Sequence, residues 1–229
     1  MGFLDLEYKP MWDQIATYSL LVLILLLCVP YMRHLFYESS KDLIKSLEPY
    51  KRPWLTHLMQ FFSVAGDGDC YFYALSILFA MNKNYDFIFL VLCLALNLHW
   101  NNTLKMGIHD SRPQFDDPSI ATINAGTCAG EFGNPSGHAL ITSQYFTSGL
   151  LFCLTEYKSF FESNRVLKNS LKVFCVLFTL GVLLCRIYLG RHSIDQILLG
   201  ATLGSLTAHF LHYCFKPHMF DPIFRPPTD

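Results

Sequence analysis

Three polar segments hold the side chains that could do chemistry in this chain. They are Lys105–Pro113, Asn134–Ala139 and Cys185–Gln196. Fixed positive charges stand in the first and third segments, at Lys105, Arg112 and Arg186. Ammonium and guanidinium groups bind phosphate oxygens and stabilise the charge on a phosphoryl group in transfer. These cations therefore indicate a phosphate site.

The second and third segments add a helix start and two histidines. Ser136 and Gly137 open a predicted helix, whose free N–H groups and dipole favour an anion. Pro135 suits the first helical position, and Gly137 lets the backbone approach a ligand closely. His138 and His192 can attack or exchange protons near neutral pH. Phosphoryl transfer needs little beyond such charges, a nucleophile and a proton donor.

The composition limits the classes of protein and cofactor that fit. Hydrophobic residues make up 52% of the chain, charged residues make up 15%, and the net charge is −1. These values favour an integral membrane protein and exclude nucleic-acid binding, which needs a concentrated basic surface. No set of residues has metal-ligand spacing, so we expect no metal and no other cofactor. The eight cysteines do not form a disulfide pattern and are interpreted mainly as buried apolar side chains. A disulfide between Cys70 and Cys128 is the alternative that the sequence does not decide.

Hydropathy predicts six membrane spans, since about 20 apolar residues cross the hydrocarbon core. Four uncharged runs are Ile15–Met32, Phe87–Leu104, Ala139–Thr155 and Ile197–Phe215. Two further runs are too short to cross and must be extended. Cys70–Met81 is extended back to His57, which places Asp67 and Asp69 inside the span. Val173–Cys185 is extended through Arg186 toward Gly190. Ionisable residues inside spans usually mark a functional cavity.

The fold prediction is an all-α integral membrane bundle of six transmembrane helices. One domain fills residues 1–229, and residues 33–52 form an interfacial segment. The span count places the three polar segments, and hence the active site, at one membrane face. The opposite face has more Lys and Arg outside the motifs, eight against five, which favours a cytosolic location for it. The active site then faces the lumen or the exterior.

The order and spacing of the motifs resemble those of a known family. K-x6-R-P, P-S-G-H and R-x5-H are the signature of the type 2 phosphatidic acid phosphatase superfamily. The resemblance covers about Trp54 to Phe215. It implies that phosphate is bound by Lys105, Arg112, Ser136, Gly137 and Arg186. It also implies that His192 attacks phosphorus to form a phosphohistidine, while His138 protonates the leaving oxygen and then activates water.

The sequence departs from the family pattern next to the nucleophile. The family usually has Asp four residues after this histidine, to hold its tautomer, whereas this chain has Gln196 there and Asp195 at plus three. On a helix both positions face the histidine. Either side chain could therefore orient His192.

The substrate and the organelle are open at this stage. Six spans favour a lipid phosphate that enters from the bilayer, with membrane lipids as neighbours. The stretch Cys128–Ala139 resembles glucose-6-phosphatases, so a sugar phosphate is the main alternative, and an isoprenoid diphosphate is a third. An inactive structural subunit or lipid-binding protein is the alternative from another class. The family analogy suggests the endoplasmic reticulum. A homo- or hetero-oligomer is compatible with the sequence.

Overall fold

The computed structural model describes residues 20–21, 23–24, 29–82, 86–120 and 132–214. The described residues are helical, with no strand beyond an isolated bridge between Ser111 and Phe132. The helices are α1 Pro30–Leu47, α2 Pro53–Ala65, α3 Gly68–Asn82, α4 Asp86–Ile108, α5 Pro113–Asp116, α6 Gly137–Glu156, α7 Lys158–Ser163, α8 Arg165–Tyr188 and α9 Ile194–Cys214. A short 3₁₀ turn, Glu48–Tyr50, follows α1. The all-α part of the prediction is confirmed.

The helices coincide with most of the predicted spans, but the second span differs. It is interrupted at Gly66 and Asp67, so that α2 and α3 are separate helices. At this break the Gly66 N–H donates to the carbonyl of Phe62, and a Cβ on Gly66 would lie 2.6 Å from a methyl group of Val182. The break therefore brings the α2 C-terminus into close contact with α8. The first predicted span, Ile15–Met32, lies mostly outside the described residues.

Among the described helices, α8 is long and apolar enough to cross a membrane by itself. Six spans therefore stay a prediction. Much of the apolar surface of α8 points outward, at Val173, Phe174, Val176, Leu177, Leu180 and Leu184, all more than 45% exposed. Its opposite face is buried at Cys175, Val182 and Cys185. A helix that is apolar on both faces suits a bilayer on one side and protein on the other.

The helices α6 and α9 form the closest pair in the bundle, and two glycines one turn apart make this possible. A Cβ on Gly200 would lie 2.5 Å from the carbonyl oxygen of Ser136, and one on Gly204 would lie 2.0 Å from that of Leu140. Such G-x-x-x-G spacing lets two helix backbones approach closely. The first turns of α6 and α9 are thereby held together, and both carry site residues.

The substitution Gly204→Ala should destabilise the protein, because its Cβ would meet backbone atoms of α6 that cannot move aside. We expect a loss of about 1–3 kcal/mol, the usual cost of overpacking, measured as a lower melting temperature in detergent. Gly149→Ala on α6 is the matched control, since nothing lies within 4 Å of its Cβ. The control should be neutral or gain about 0.5–1 kcal/mol from helix propensity. Equal effects at both positions would refute the close packing.

Candidate active site

Three connections between helices bring the predicted site residues together. Arg112 lies between α4 and α5, Ser136 precedes α6 as its N-cap, and His192 lies between α8 and α9. All three residues are buried, as is Arg186 in the last turn of α8. The first turns of α6 and α9 are joined directly, because the Ser136 N–H donates to the Gln196 carbonyl at 2.9 Å.

Both ring nitrogens of His192 have a partner. The Nδ1 atom lies 3.1 Å from Gln196 Oε1, and the Nε2 atom lies 3.1 Å from Arg112 Nη1. A guanidinium group can only donate, and an amide oxygen can only accept. The two contacts therefore favour the same tautomer, with the proton on Nδ1 and a lone pair on Nε2 beside Arg112. This is the protonation state that a nucleophilic imidazole needs.

The surroundings also keep His192 neutral. Burial, followed by the charges of Arg112, Arg186 and Lys105, lowers the pKa of His192 well below 6.5. The hydrogen bond to Gln196 acts in the opposite direction and is the smallest of these effects. At neutral pH Nε2 therefore carries no proton, and in this structure its lone pair accepts from Arg112.

The Gln196 side chain is fixed at both ends of its amide. Its Nε2 donates to the Ser111 carbonyl at 2.8 Å, while its Oε1 accepts from His192. Gly133 has no side chain, and this leaves space for the Gln196 amide. A Cβ at Gly133 would lie 2.6 Å from Gln196 Oε1 and 2.8 Å from Nε2. The Gly133 position was not anticipated from the sequence.

Asp195 does not contact His192. It is buried, and neither carboxylate oxygen makes a hydrogen bond to the part of the chain that the structure describes. Of the two arrangements left open by the sequence, the structure thus has the one with Gln196 at the imidazole.

The cations lie close to one another around His192. Arg186 is 2% exposed and donates from Nη1 to Ser63 Oγ at 2.7 Å. Lys105 lies in the last turn of α4. Burial, together with the charges of Arg186 and Arg191, lowers the pKa of Arg112 to about 10. Sequence reasoning missed Ser63 and Arg191, although Arg191 immediately precedes His192.

The start of α6 differs from the sequence prediction in one detail. The helix begins at Gly137 with Ser136 as N-cap, so Pro135 lies before the cap and not at the first helical position. Ser136 Oγ is buried and makes no hydrogen bond within the described residues. Gly137 is packed against Asn101, whose Nδ2 would lie 3.0 Å from an added Cβ. The free N–H groups of this first turn and the Ser136 hydroxyl suit an anion.

His138 follows on α6 and faces an acidic residue. Its Nε2 lies 3.7 Å from Asp67 Oδ2, an ion-pair distance and longer than a hydrogen bond. Asp67 stands at the break between α2 and α3. The sequence indicated only that this carboxylate lay within a span. Its position beside His138 depends on the helix break.

The described residues contain no group of three or more His, Cys, Asp or Glu side chains that could hold a metal ion. Besides the carboxylates of Asp67 and Asp195, the polar groups described at the site are cations, imidazoles, hydroxyls and amides. The cations, hydroxyls and amides are the groups that suit an anion. Such groups bind and stabilise phosphate oxygens directly.

Fold and site together define a helical protein with a buried anion site. Comparison then gives the family: residues 86–220, more than half of the chain, match the family model of the PAP2 superfamily. The chain belongs to this superfamily of phosphatases, so the resemblance seen in the motifs is confirmed.

Two relatives show the range of the likeness. A dolichyldiphosphatase of Saccharomyces cerevisiae is 31% identical over 117 residues, which span 49% of this chain and 44% of the relative. The chain therefore matches less than half the length of that relative. A transmembrane PAP2-type phosphatidylglycerolphosphate phosphatase from Bacillus subtilis superimposes with a TM-score of 0.70 at 19% identity, over 88% of this chain and 94% of the other. At that identity the likeness concerns the fold.

The contacts of Gln196 and Asp195 lead to opposite predictions for their variants. We expect Gln196→Ala to lower kcat about 10- to 100-fold, because a hydrogen bond to a group that becomes charged contributes about 1.5–3 kcal/mol. Asp195→Asn keeps the shape and should leave kcat within about twofold. Steady-state hydrolysis of a phosphate substrate by each purified variant measures both kcat values. A larger loss for Asp195→Asn than for Gln196→Ala would show that the carboxylate is the orienting group.

Proposed function

We propose that the chain is a membrane phosphatase that hydrolyses a lipid phosphate through a phosphohistidine on His192. The observation that carries this proposal is the setting of the His192 imidazole. It is buried, held by Gln196 in the tautomer with a lone pair on Nε2, and placed beside the Arg112 guanidinium. A nucleophile in contact with a phosphate-binding cation is what phosphoryl transfer requires.

The first step transfers the phosphoryl group to the enzyme. His192 Nε2 attacks phosphorus, the N–P bond forms, and the bond to the leaving oxygen breaks. His138 gives that oxygen a proton, although burial and the charges of Arg186, Lys105 and Arg112 lower the pKa of His138 well below 6.5. The Asp67 carboxylate, 3.7 Å from His138 Nε2, is the nearby negative charge that would favour the protonated imidazole. Phosphate oxygens are bound by Lys105, Arg112, Arg186, the Ser136 hydroxyl and the Gly137 amide.

The second step releases phosphate. His138, now neutral, takes a proton from water, and the hydroxyl oxygen attacks phosphorus as the N–P bond breaks. The electron pair returns to His192 Nε2, which restores the starting tautomer. No step requires a metal, because the cations balance the phosphate charge.

A lipid substrate is supported by the apolar exterior and by the relatives. The exposed face of α8 suits a bilayer, from which a lipid headgroup can reach a buried site. One relative is a dolichyldiphosphatase, and the other is a phosphatidylglycerolphosphate phosphatase. The yeast relative also favours a second candidate, an isoprenoid diphosphate. The additional charge of Arg191 near Arg112 is compatible with it. The Lys and Arg distribution supports a site on the lumenal or exterior side of the membrane, and family analogy alone supports the endoplasmic reticulum.

Two histidine variants test the mechanism. His192→Ala should abolish turnover, since it removes the group that attacks phosphorus in the proposed mechanism. His138→Ala should accumulate a phosphoenzyme that is acid-labile and base-stable, because the second step lacks its base.

The assay uses phosphatidic acid, sphingosine phosphate, dolichyl diphosphate and glucose 6-phosphate, with and without EDTA. Activity that persists in the His192→Ala protein, or is lost in EDTA, would contradict the proposal. Turnover of glucose 6-phosphate alone would reject the lipid substrate.

The pH dependence follows from the lowered pKa of His192. Attack requires the neutral imidazole, and the shift keeps it neutral down to a pH below 6.5. The rate of phosphoenzyme formation should therefore be unaffected by His192 protonation near pH 6.5 and decline only at lower pH. Rapid-quench measurements check this, corrected for the phosphate pKa of about 6 in the substrate.

Gln196→Glu should shift this decline to higher pH, because a carboxylate beside the imidazole raises its pKa by about one unit or more. An unchanged profile in this variant would mean that the titrating group is not His192.

A further inference from the structure

The helix α1 is attached to the loops that carry the phosphate-binding residues, and Asp110 is the point of attachment nearest Arg112. We infer that Asp110, held by Arg33 of α1, is a positioning residue that sets the place of the Arg112 guanidinium for phosphate binding. This inference rests on the proposed function.

Asp110 receives donors from two separate parts of the chain. Its Oδ1 accepts from Arg33 Nη2 at 2.5 Å, and its Oδ2 accepts from Asn134 Nδ2 at 2.7 Å. Its carbonyl oxygen accepts from the Gly133 N–H at 2.7 Å. One residue thus joins α1, the Arg112 segment and the segment that leads into α6. Asp110 precedes Arg112 by two residues, as Asn134 precedes Ser136, so the bonds fix both phosphate-binding segments relative to each other.

The backbone around Asp110 needs this support. His109 directly follows α4 and has a φ of 55°, a left-handed conformation that costs a residue with a Cβ about 1–2 kcal/mol. The turn redirects the chain so that Ser111 can pair with Phe132 and offer its carbonyl to Gln196. If Asp110 lost its hydrogen-bond partners, Arg112, two residues later, would be displaced directly. The Ser111 carbonyl would move as well, and with it Gln196 and its contact to His192.

The helix α1 is a firm anchor for this contact. Its Ser40 is completely buried, and the Ser40 Oγ accepts from the Ile194 N–H at 2.8 Å, which caps the start of α9. Two further contacts join α1 to the end of α5, since Tyr37 donates to Asp116 at 2.7 Å and Lys45 pairs with Asp117 at 2.5 Å. The segment predicted as an interfacial face thus contacts both the first and the third motif.

The ion pair itself is only partly buried, so its stability contribution alone would be small. The side chains of Arg33 and Asp110 are 33% and 17% exposed. The Arg33–Asp110 pair therefore acts by fixing the position of the Arg112 guanidinium. Phosphate contacts are sensitive to small displacements, since a misplacement of about 1 Å can cost about 100-fold in rate.

The test measures phosphate binding in variants of the full-length protein. Arg33→Gln and Asp110→Asn should each raise KM and the inhibition constant for inorganic phosphate about tenfold, with the melting temperature nearly unchanged. The double variant should be no worse than the poorer single variant, because both changes break one contact. Arg33→Lys should restore part of the loss, since it keeps the charge without the planar fork.

Lys41→Gln is the matched control. It removes a cation from the same helix, but Lys41 pairs with Glu38 inside α1 at 2.8 Å. This variant should keep both constants of the wild-type protein. A purely structural role would instead lower the melting temperature and leave both constants unchanged.

The outcomes separate this inference from the proposed function. If the wild-type protein is active and both Arg33→Gln and Asp110→Asn keep its constants, or if their effects add, Asp110 does not position Arg112. An effect of Lys41→Gln equal to that of Arg33→Gln would also overturn the inference. If the wild-type protein neither hydrolyses a phosphate substrate nor binds phosphate, the proposed function fails, and the positioning role fails with it.

Discussion

Concentrating cations in a buried site is the constraint on which the rest of this structure depends. Like charges repel, and removal from water disfavours each charged group, as the lowered pKa of Arg112 shows. Neutral groups hold two of the guanidinium groups in place, Ser63 Oγ on Arg186 and His192 Nε2 on Arg112. A carboxylate in their place would neutralise the site. Hydroxyl and imidazole partners leave its positive potential for phosphate.

The bundle must therefore position these groups close together, and close helix packing contributes to this. Gly200 and Gly204 bring α9 against α6, so that the N-cap Ser136 reaches the Gln196 carbonyl. Two carboxylates, Asp110 and Asp116, lie behind the loops and hold them by accepting from Arg33 and Tyr37. Asp67 differs from these two, because it lies 3.7 Å from His138 at the site itself.

The sequence predicted the helices and the three motifs, because hydropathy and motif spacing are local properties. It did not resolve which neighbour orients His192, since positions three and four along a helix both face the same residue, and only the side-chain conformation distinguishes them. It also did not anticipate the helix break that brings Asp67 to His138. The docking of α1 depends on long-range contacts such as Ser40 with Ile194, and no local pattern encodes these.

A glutamine beside His192 has a physical consequence that a carboxylate would not have. The neutral amide fixes the tautomer as well as a carboxylate does, because its oxygen can only accept. It does not, however, add the negative charge that would raise the histidine pKa and offset the nearby cations. The imidazole consequently stays neutral and nucleophilic in a strongly positive site. In the proposed mechanism a dianionic phosphoryl group would be attached to this ring, and the positive surroundings, more than the amide, would stabilise it.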